Sequence, residues 1–254
     1  MRCIIFTTVF LMLFIHIEAQ EMKLDLPEAE PGTALEYFKR GDIYRKQKQY
    51  DQALKDYNKA IELDPEFVLA YKNRGISYDC LKQYDKALED YSRAIELEPE
   101  FAMAYNNRGA VCNDLKQYDK ALEDYSRAIE LEPEFAMAYN NRGNTYSDLK
   151  QYDKALQDYS KAIELDPEYA SAYHARAESY RLKKKYVKAI KDYQRVIELD
   201  SKHHAAYYNL GFTYYKMNRP YLAIRAYLMG FLNEENALKA LQSLSFEDII
   251  TGQF

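Results

Sequence analysis

The sequence predicts an all-α protein, an α-solenoid of six stacked helical hairpins closed by a C-terminal capping helix. Three observations predict it. Pro65, Pro99, Pro133 and Pro167 recur at a fixed step of 34 residues, and a fixed step of this size is the mark of a stacked array. The 29 residues from Leu81 to Gly109 are spelled again, unchanged, from Leu115 to Gly143. Within each period, small and aromatic residues fall at spacings of three and four, which is one face of a helix.

In chain order, Met1–Ala19 comes first: Arg2, then an apolar run from Cys3 to Ile17, then Glu18 and Ala19. A basic start, an apolar stretch of this length and a small residue at its end predict an export signal cleaved after Ala19. The run falls short of the ~20 residues of a membrane span, although an uncleaved anchor is the alternative. Gln20–Thr33, with Pro27, Pro31 and Gly32, reads as a flexible leader. The six units follow at 34–67, 68–101, 102–135, 136–169, 170–203 and 204–233.

The third unit shows the logic. Tyr105, Gly109 and Cys112 line one helix face, and Tyr118, Ala121, Tyr125 and Ala128 line another. The polar stretch Asp114–Gln117 between them is a turn, and Asp119 suits the positive end of the second helix dipole. Pro133 ends that helix, because it lacks an N–H and pushes its predecessor out of the helical region. Gly109 and Ala121 let the two backbones approach while the tyrosines fill the wider gaps. A single hairpin buries too little apolar area to stand alone, so neighbours are required.

The sixth unit departs from the pattern. Ser201 replaces the terminating proline, Pro220 stands at a tyrosine position, and Gly230 stands where alanine recurs. Proline is tolerated in a first turn, whereas glycine inside a helix costs about 1 kcal/mol relative to alanine. A softer end is expected there. Residues 234–254 supply the capping helix, Glu234–Ser243, with Leu238 and Leu241 over the last hairpin, and a tail.

Hydrophobic residues at 48% and charged residues at 30% exclude a largely disordered chain. A net charge of −5, unchanged by loss of Met1–Ala19, excludes a general nucleic-acid binder, which needs a basic stripe. The one basic run, Arg181, Lys183, Lys184, Lys185 and Lys188, reads as a solvated turn between acidic segments. No phosphate loop, nucleophile elbow or metalloprotease helix motif occurs. The expectation is a chain without enzymatic activity, cofactor or metal. Cys80 and Cys112 have neither zinc-site nor redox-pair spacing, and helix geometry points them to opposite sides. His174 and Glu178, four apart, with His203 and His204 in the next linker, have ligand-type spacing but no clear convergence.

Tyr71, Gly75, Tyr78, Ala87, Tyr91, Ala94 and Pro99 together resemble the tetratricopeptide repeat, whose signature runs W-x₂-L-G-x₂-Y, A-x₃-F, P. The resemblance covers Ala34 to Asn233. Tyrosine replaces the family's tryptophan throughout, and Arg40, Arg74, Arg108, Arg142 and Arg176 replace its leucine, which only Leu210 keeps. The resemblance implies a right-handed solenoid whose first helices line a concave groove.

Helix rotation of about 100° per residue places Met103, Asn107, Ala110 and Asp114 opposite the packed side of the third unit's first helix. The equivalent positions elsewhere are Asn73, Asn141 and Asn209, with Lys39 and Ala175 interrupting, and Asn106, Asn140 and Asn144 lie close by. An amide both donates and accepts, so such a row can hold the main chain of an extended peptide, or the asparagines can bond to neighbouring helices and water. The row resembles the asparagine ladder of some family members. The clamp by which other members grip chaperone tails is not matched: Phe38 and Asp42, Ile76, and Met103 and Met137 stand where its lysines and asparagine belong. In the sixth unit Tyr208, Phe212 and Tyr215 either form an aromatic pocket for an apolar anchor or pack under the capping helix.

These readings converge on an exported scaffold that binds a protein or extended peptide. Periplasmic or secreted location is favoured over the ER lumen, since the tail Thr251–Phe254 is no retention signal and no N-x-[ST] site occurs. A membrane-tethered assembly factor and a non-catalytic subunit of an enzyme complex are the alternatives; oligomeric state is not read from the sequence.

Overall fold

The computed structural model describes residues 32–232 together with 236, 237, 239 and 240. The described residues are helical, without strands, in six hairpins. The helices are α1 (Ala34–Lys46) and α2 (Tyr50–Leu63), α3 (Val68–Cys80) and α4 (Tyr84–Leu97), α5 (Ala102–Asp114) and α6 (Tyr118–Leu131). They continue with α7 (Ala136–Asp148) and α8 (Tyr152–Leu165), α9 (Ala170–Leu182) and α10 (Tyr186–Leu199), α11 (His204–Lys216) and α12 (Pro220–Met229). The expected export signal, most of the leader, and Leu238 and Leu241 of the expected capping helix lie outside the described residues. Asn236, Ala237, Lys239 and Ala240 are helical, and Ala237 is buried.

The chain divides into two compact units, one up to Val111 and one from Cys112, with the division inside α5. In the first unit α1 packs on α2, α2 on α3 and α3 on α4; in the second, each helix from α6 to α12 packs on the next. The hairpin closes as the small residues require. Buried Tyr91 lies under Gly75 and buried Tyr159 under Gly143, and a Cβ at either glycine would sit 2.7 Å from the tyrosine ring. Ala53, Ala60, Ala87 and Ala94 in the first unit, and Ala155, Ala162 and Ala189 in the second, are fully buried.

Each hairpin turn has the same build. The helix ends in a Schellman motif, as at α3, where Lys82 N–H donates to Asp79 and Gln83 N–H to Tyr78. The residue that must turn left-handed is lysine at 48, 82, 116, 150 and 184 and asparagine at 218, with φ of 56–60°. Glycine is the usual occupant of that conformation. Second helices end as expected: α6 stops at Leu131, and Glu132 before Pro133 is already out of the helical region. Where Ser201 replaces proline, α10 still stops at Leu199, and Asp200 Oδ1 accepts from Lys202 N–H to hold the turn.

Two expectations are corrected. Thr33, assigned to the leader, is the N-cap of α1, and with Glu36 it forms a reciprocal capping box. Gly230 is not inside a helix: α12 ends at Met229 and Gly230 is its C-cap, lying so close to Tyr207 that a Cβ would come within 2.9 Å of that residue's own. The glycine therefore serves a close approach and carries no interior-helix penalty. The arginines in place of leucine have charged partners. Arg40, Arg74, Arg142 and Arg176 each donate from Nε and Nη2 to both oxygens of an aspartate 16 residues on, at 2.6–2.8 Å. The aspartates, Asp56, Asp90, Asp158 and Asp192, are buried. In Arg74, Arg142 and Arg176 the third nitrogen reaches back to the preceding second helix, as when Arg176 Nη1 donates to Ser160 Oγ at 3.2 Å. In the last hairpin both partners vanish together: Leu210 and Ala226 stand in their places and join the apolar core.

Candidate functional site

The first helix of each hairpin turns one side to its partner helix and leaves the other for polar groups. In the first unit these groups converge on Asp42. Its Oδ1 accepts from Tyr57 Oη at 2.8 Å, Asn73 Nδ2 at 2.7 Å and Arg45 Nη2 at 3.0 Å. Burial, and after it the Asp42 charge, push the Tyr57 phenol well above its ordinary range, so it stays a donor. Lys72 beside this cluster has its ammonium pKa lowered by burial and then by Arg45. Asn73 is only 3% exposed, and its Oδ1 has no hydrogen-bond partner. Asn106 is likewise buried and donates to Asn107 Oδ1 at 3.3 Å, while Asn107 itself is half-buried.

In the second unit the same cluster recurs four periods later, with Glu178, Arg181, Tyr193 and Asn209 at the places of Asp42, Arg45, Tyr57 and Asn73. Glu178 accepts from Arg181 and from the Tyr193 hydroxyl. Burial opposes its ionisation, yet Arg181 and Tyr193 hold its carboxyl below the ordinary range. Asn209 differs from Asn73: its Nδ2 lies 3.2 Å from His174 Nε2. The His174 ring stands 5.1 Å from that of His203. Burial, and then His203, lower the His174 pKa. Two histidines thus occupy the places of Phe38 and Phe67, whose rings are 4.9 Å apart in the first unit.

Earlier in the second unit, Tyr159 Oη donates to Asn144 Oδ1 at 2.9 Å and Thr145 Oγ1 to Asn113 Oδ1 at 2.7 Å. Asn140 is buried with an unpartnered Oδ1, and Asn141 is half-buried. Of the seven asparagines singled out from the sequence, Asn73, Asn106 and Asn140 are buried and Asn107, Asn141, Asn144 and Asn209 are half-buried. Asn107 and Asn141 occupy equivalent positions in their own hairpins.

Asp42, Glu178 and Arg181 were noted in the sequence for other reasons, and their grouping with Tyr57 and Tyr193 was not read from it. The signal was present: a tyrosine replaces the family's phenylalanine, and an acid or amide stands 15 residues before it at Asp42, Asn144 and Glu178. Cys80 is exposed and Cys112 buried, both as free thiols. Among the described residues no group of His, Cys, Asp and Glu is placed to hold a metal, and no helix is long and apolar enough to cross a membrane. Three members of the basic run have local partners: Lys183 pairs with Asp153, Arg181 with Glu178, and Lys188 lies over Tyr180. Tyr208 and Tyr215 are 59% and 63% exposed.

Family models described as tetratricopeptide repeat match residues 68–101, 102–135 and 136–169 and, in a second version, 159–191. A model described as TPR repeat matches 41–79 and 177–218. No curated protein matches the chain. Among solved structures, that of MamA is 27% identical with a TM-score of 0.56, covering 64% of this chain and 95% of its own. YrrB, described as a TPR protein with an unusual peptide-binding site, is 26% identical with a TM-score of 0.53, covering 68% and 89%. PilW, described as a type IV pilus biogenesis factor, is 19% identical with a TM-score of 0.72, covering 87% and 98%, a likeness of fold.

Proposed function

The chain belongs to the tetratricopeptide repeat family, and from that membership we propose that it is a non-enzymatic scaffold holding an extended peptide or a partner protein against the polar face of its first helices. One observation carries the reading. Half-buried amides recur at one position on that face, at Asn107 in the first unit and at Asn141 and Asn209 in the second. Amides at a fixed step match the repeating donors and acceptors of an extended main chain, which gives affinity with little demand on sequence. Half-burial suits the role, because a partner then completes their desolvation without displacing the core. The peptide-binding site of YrrB supports the reading.

The experiment is crosslinking in the native compartment with identification of the captured protein, followed by affinity measurement on an Asn107→Ala, Asn141→Ala variant. Two lost amide contacts at about 1 kcal/mol each correspond to a roughly 30-fold weaker complex. Unchanged affinity would remove the amides from the binding face. The apolar N-terminal run adds export to the proposal, with the working face in the periplasm or outside the cell. Intact mass of the exported chain should then begin at Gln20, and retention of Met1–Ala19 would replace export with a membrane anchor.

A further inference from the structure

The binding face changes chemistry within the second unit. Position by position along the first helices, Asn140 and His174 are succeeded by Tyr208, Asn144 and Glu178 by Phe212, and Ser147 and Arg181 by Tyr215. The three aromatics are spaced i, i+4, i+7 on α11 and so share one side of it. Tyr208 and Tyr215 keep more than half of their surface open to solvent. Phe212 between them is half-buried, with the Arg181 guanidinium 5.4 Å and the Lys216 ammonium 5.1 Å from its ring, and Lys216 also lies 5.9 Å from the Tyr215 ring.

The charge changes with the side chains. Residues 201–232 contain Lys202, Lys216, Arg219 and Arg225 and not one aspartate or glutamate, in a chain whose net charge is −5. Arg181 is already paired with Glu178, whereas Lys216 is exposed and has no acid on its own hairpin. A cation held over aromatic rings at an open face complements a partner that brings an apolar group and a negative charge together. Exposed tyrosines suit such a contact, because they offer large rigid area with a polar tip and lose little freedom on binding.

We propose that Tyr208, Phe212, Tyr215 and Lys216 form an anchor site for one large apolar or aromatic side chain flanked by Asp or Glu in the peptide that the amide positions hold by its main chain. The inference rests on the proposed function and adds the partner's chemistry to it. The amides Asn141 on α7 and Asn209 on α11 then supply sequence-tolerant grip, and the aromatic side of α11 sets which segment is gripped. Binding should weaken with salt, since part of the contact is between exposed charges.

The test is selection of a random dodecapeptide display library on the full chain, in parallel with a Tyr208→Ala, Tyr215→Ala variant and a Lys216→Glu variant. Selected peptides should share an aromatic or large aliphatic residue next to Asp or Glu. The tyrosine variant should bind them at least about tenfold more weakly, the loss of two aromatic contacts at an interface. Lys216→Glu should remove the acidic preference while the apolar one stays. Peptides enriched without that signature, or bound equally by the tyrosine variant, would overturn the anchor and leave the scaffold standing. No enrichment at all would overturn both. Sedimentation of the chain with phosphatidylserine vesicles, lost in the tyrosine variant, would reassign the face to a membrane surface and likewise end the proposal.

Discussion

At Arg176 one guanidinium meets three demands. It pairs with both oxygens of Asp192, reaches Ser160 on the preceding second helix, and lies over the Tyr173 ring at 5.5 Å. Arg176 and Asp192 keep only 18% and 9% of their side-chain surface, so removal of either leaves the other charged and poorly solvated. Breaking a buried pair costs about 3–5 kcal/mol, and partial exposure of the arginine places this one near the lower end. The chain holds its own control, since Leu210 and Ala226 occupy the same places one period later. Asp192→Ala alone should therefore lower the urea-unfolding free energy by about 3 kcal/mol, while Arg176→Leu with Asp192→Ala together should lose less than half of that. A double-variant loss equal to the sum of the losses of Asp192→Ala and Arg176→Leu measured singly would mean that the pair is not coupled. The sequence displayed the arginines as departures from the family's leucine; their reason lay in a partner 16 residues away, legible only from the joint loss of arginine and aspartate in the last unit.

Elements here are defined by their ends. The turns were legible as polar stretches, but the left-handed residue in them was not, because lysine carries no sign of that conformation as glycine would. The joint between α9 and α11 is a second feature the sequence showed only as a histidine cluster. His174 faces Glu178 and Arg181 on its own helix side, the Tyr193 ring of α10 at 5.8 Å, His203 of the linker, and Asn209 of α11. Asn209 Nδ2 can donate to His174 Nε2 only while that nitrogen is unprotonated. His203 Nδ1 in turn accepts from Ala206 N–H and caps α11. Both contacts need neutral rings. The folded His174 pKa is depressed, so the unfolded chain takes up the proton first as pH falls. The stability it lends is full above the ordinary histidine value of about 6.5, and it is lost as pH drops from there through the folded value. A midpoint of thermal unfolding measured at several pH values across that window should fall more steeply for the native chain than for a His174→Phe, His203→Phe variant, which installs the pair found at Phe38 and Phe67. Parallel curves would show that the histidines do not set the dependence.

For the molecule as a whole, the duplicated stretch makes a definite demand on how stability is distributed. Leu81–Gly109 and Leu115–Gly143 build the same helices with the same buried side chains: Ala87, Asp90, Tyr91 and Ala94 in α4 correspond to Ala121, Asp124, Tyr125 and Ala128 in α6. Local sequence therefore dictates the hairpin, which is why the period alone was enough to read the fold. The candidate site was less legible, because whether an amide is buried depends on the side chains of neighbouring hairpins and not on its own spacing. If each hairpin depends chiefly on adjacent ones, a whole period can be removed. Deleting Phe101–Glu134 joins Glu100 to Phe135 and leaves the 29-residue stretch spelled once without a break. The α7 helix would then follow α4, whose 14 residues are identical to those of α6, and Asp79 would stand where Asn113 accepts from Thr145. The shortened chain should keep its helicity per residue by circular dichroism and unfold in one transition. Its urea m-value should fall by about a sixth, in proportion to the surface buried, with a lower midpoint. Loss of helical signal or a split transition would mean that stability here is not the sum of hairpins and their immediate contacts.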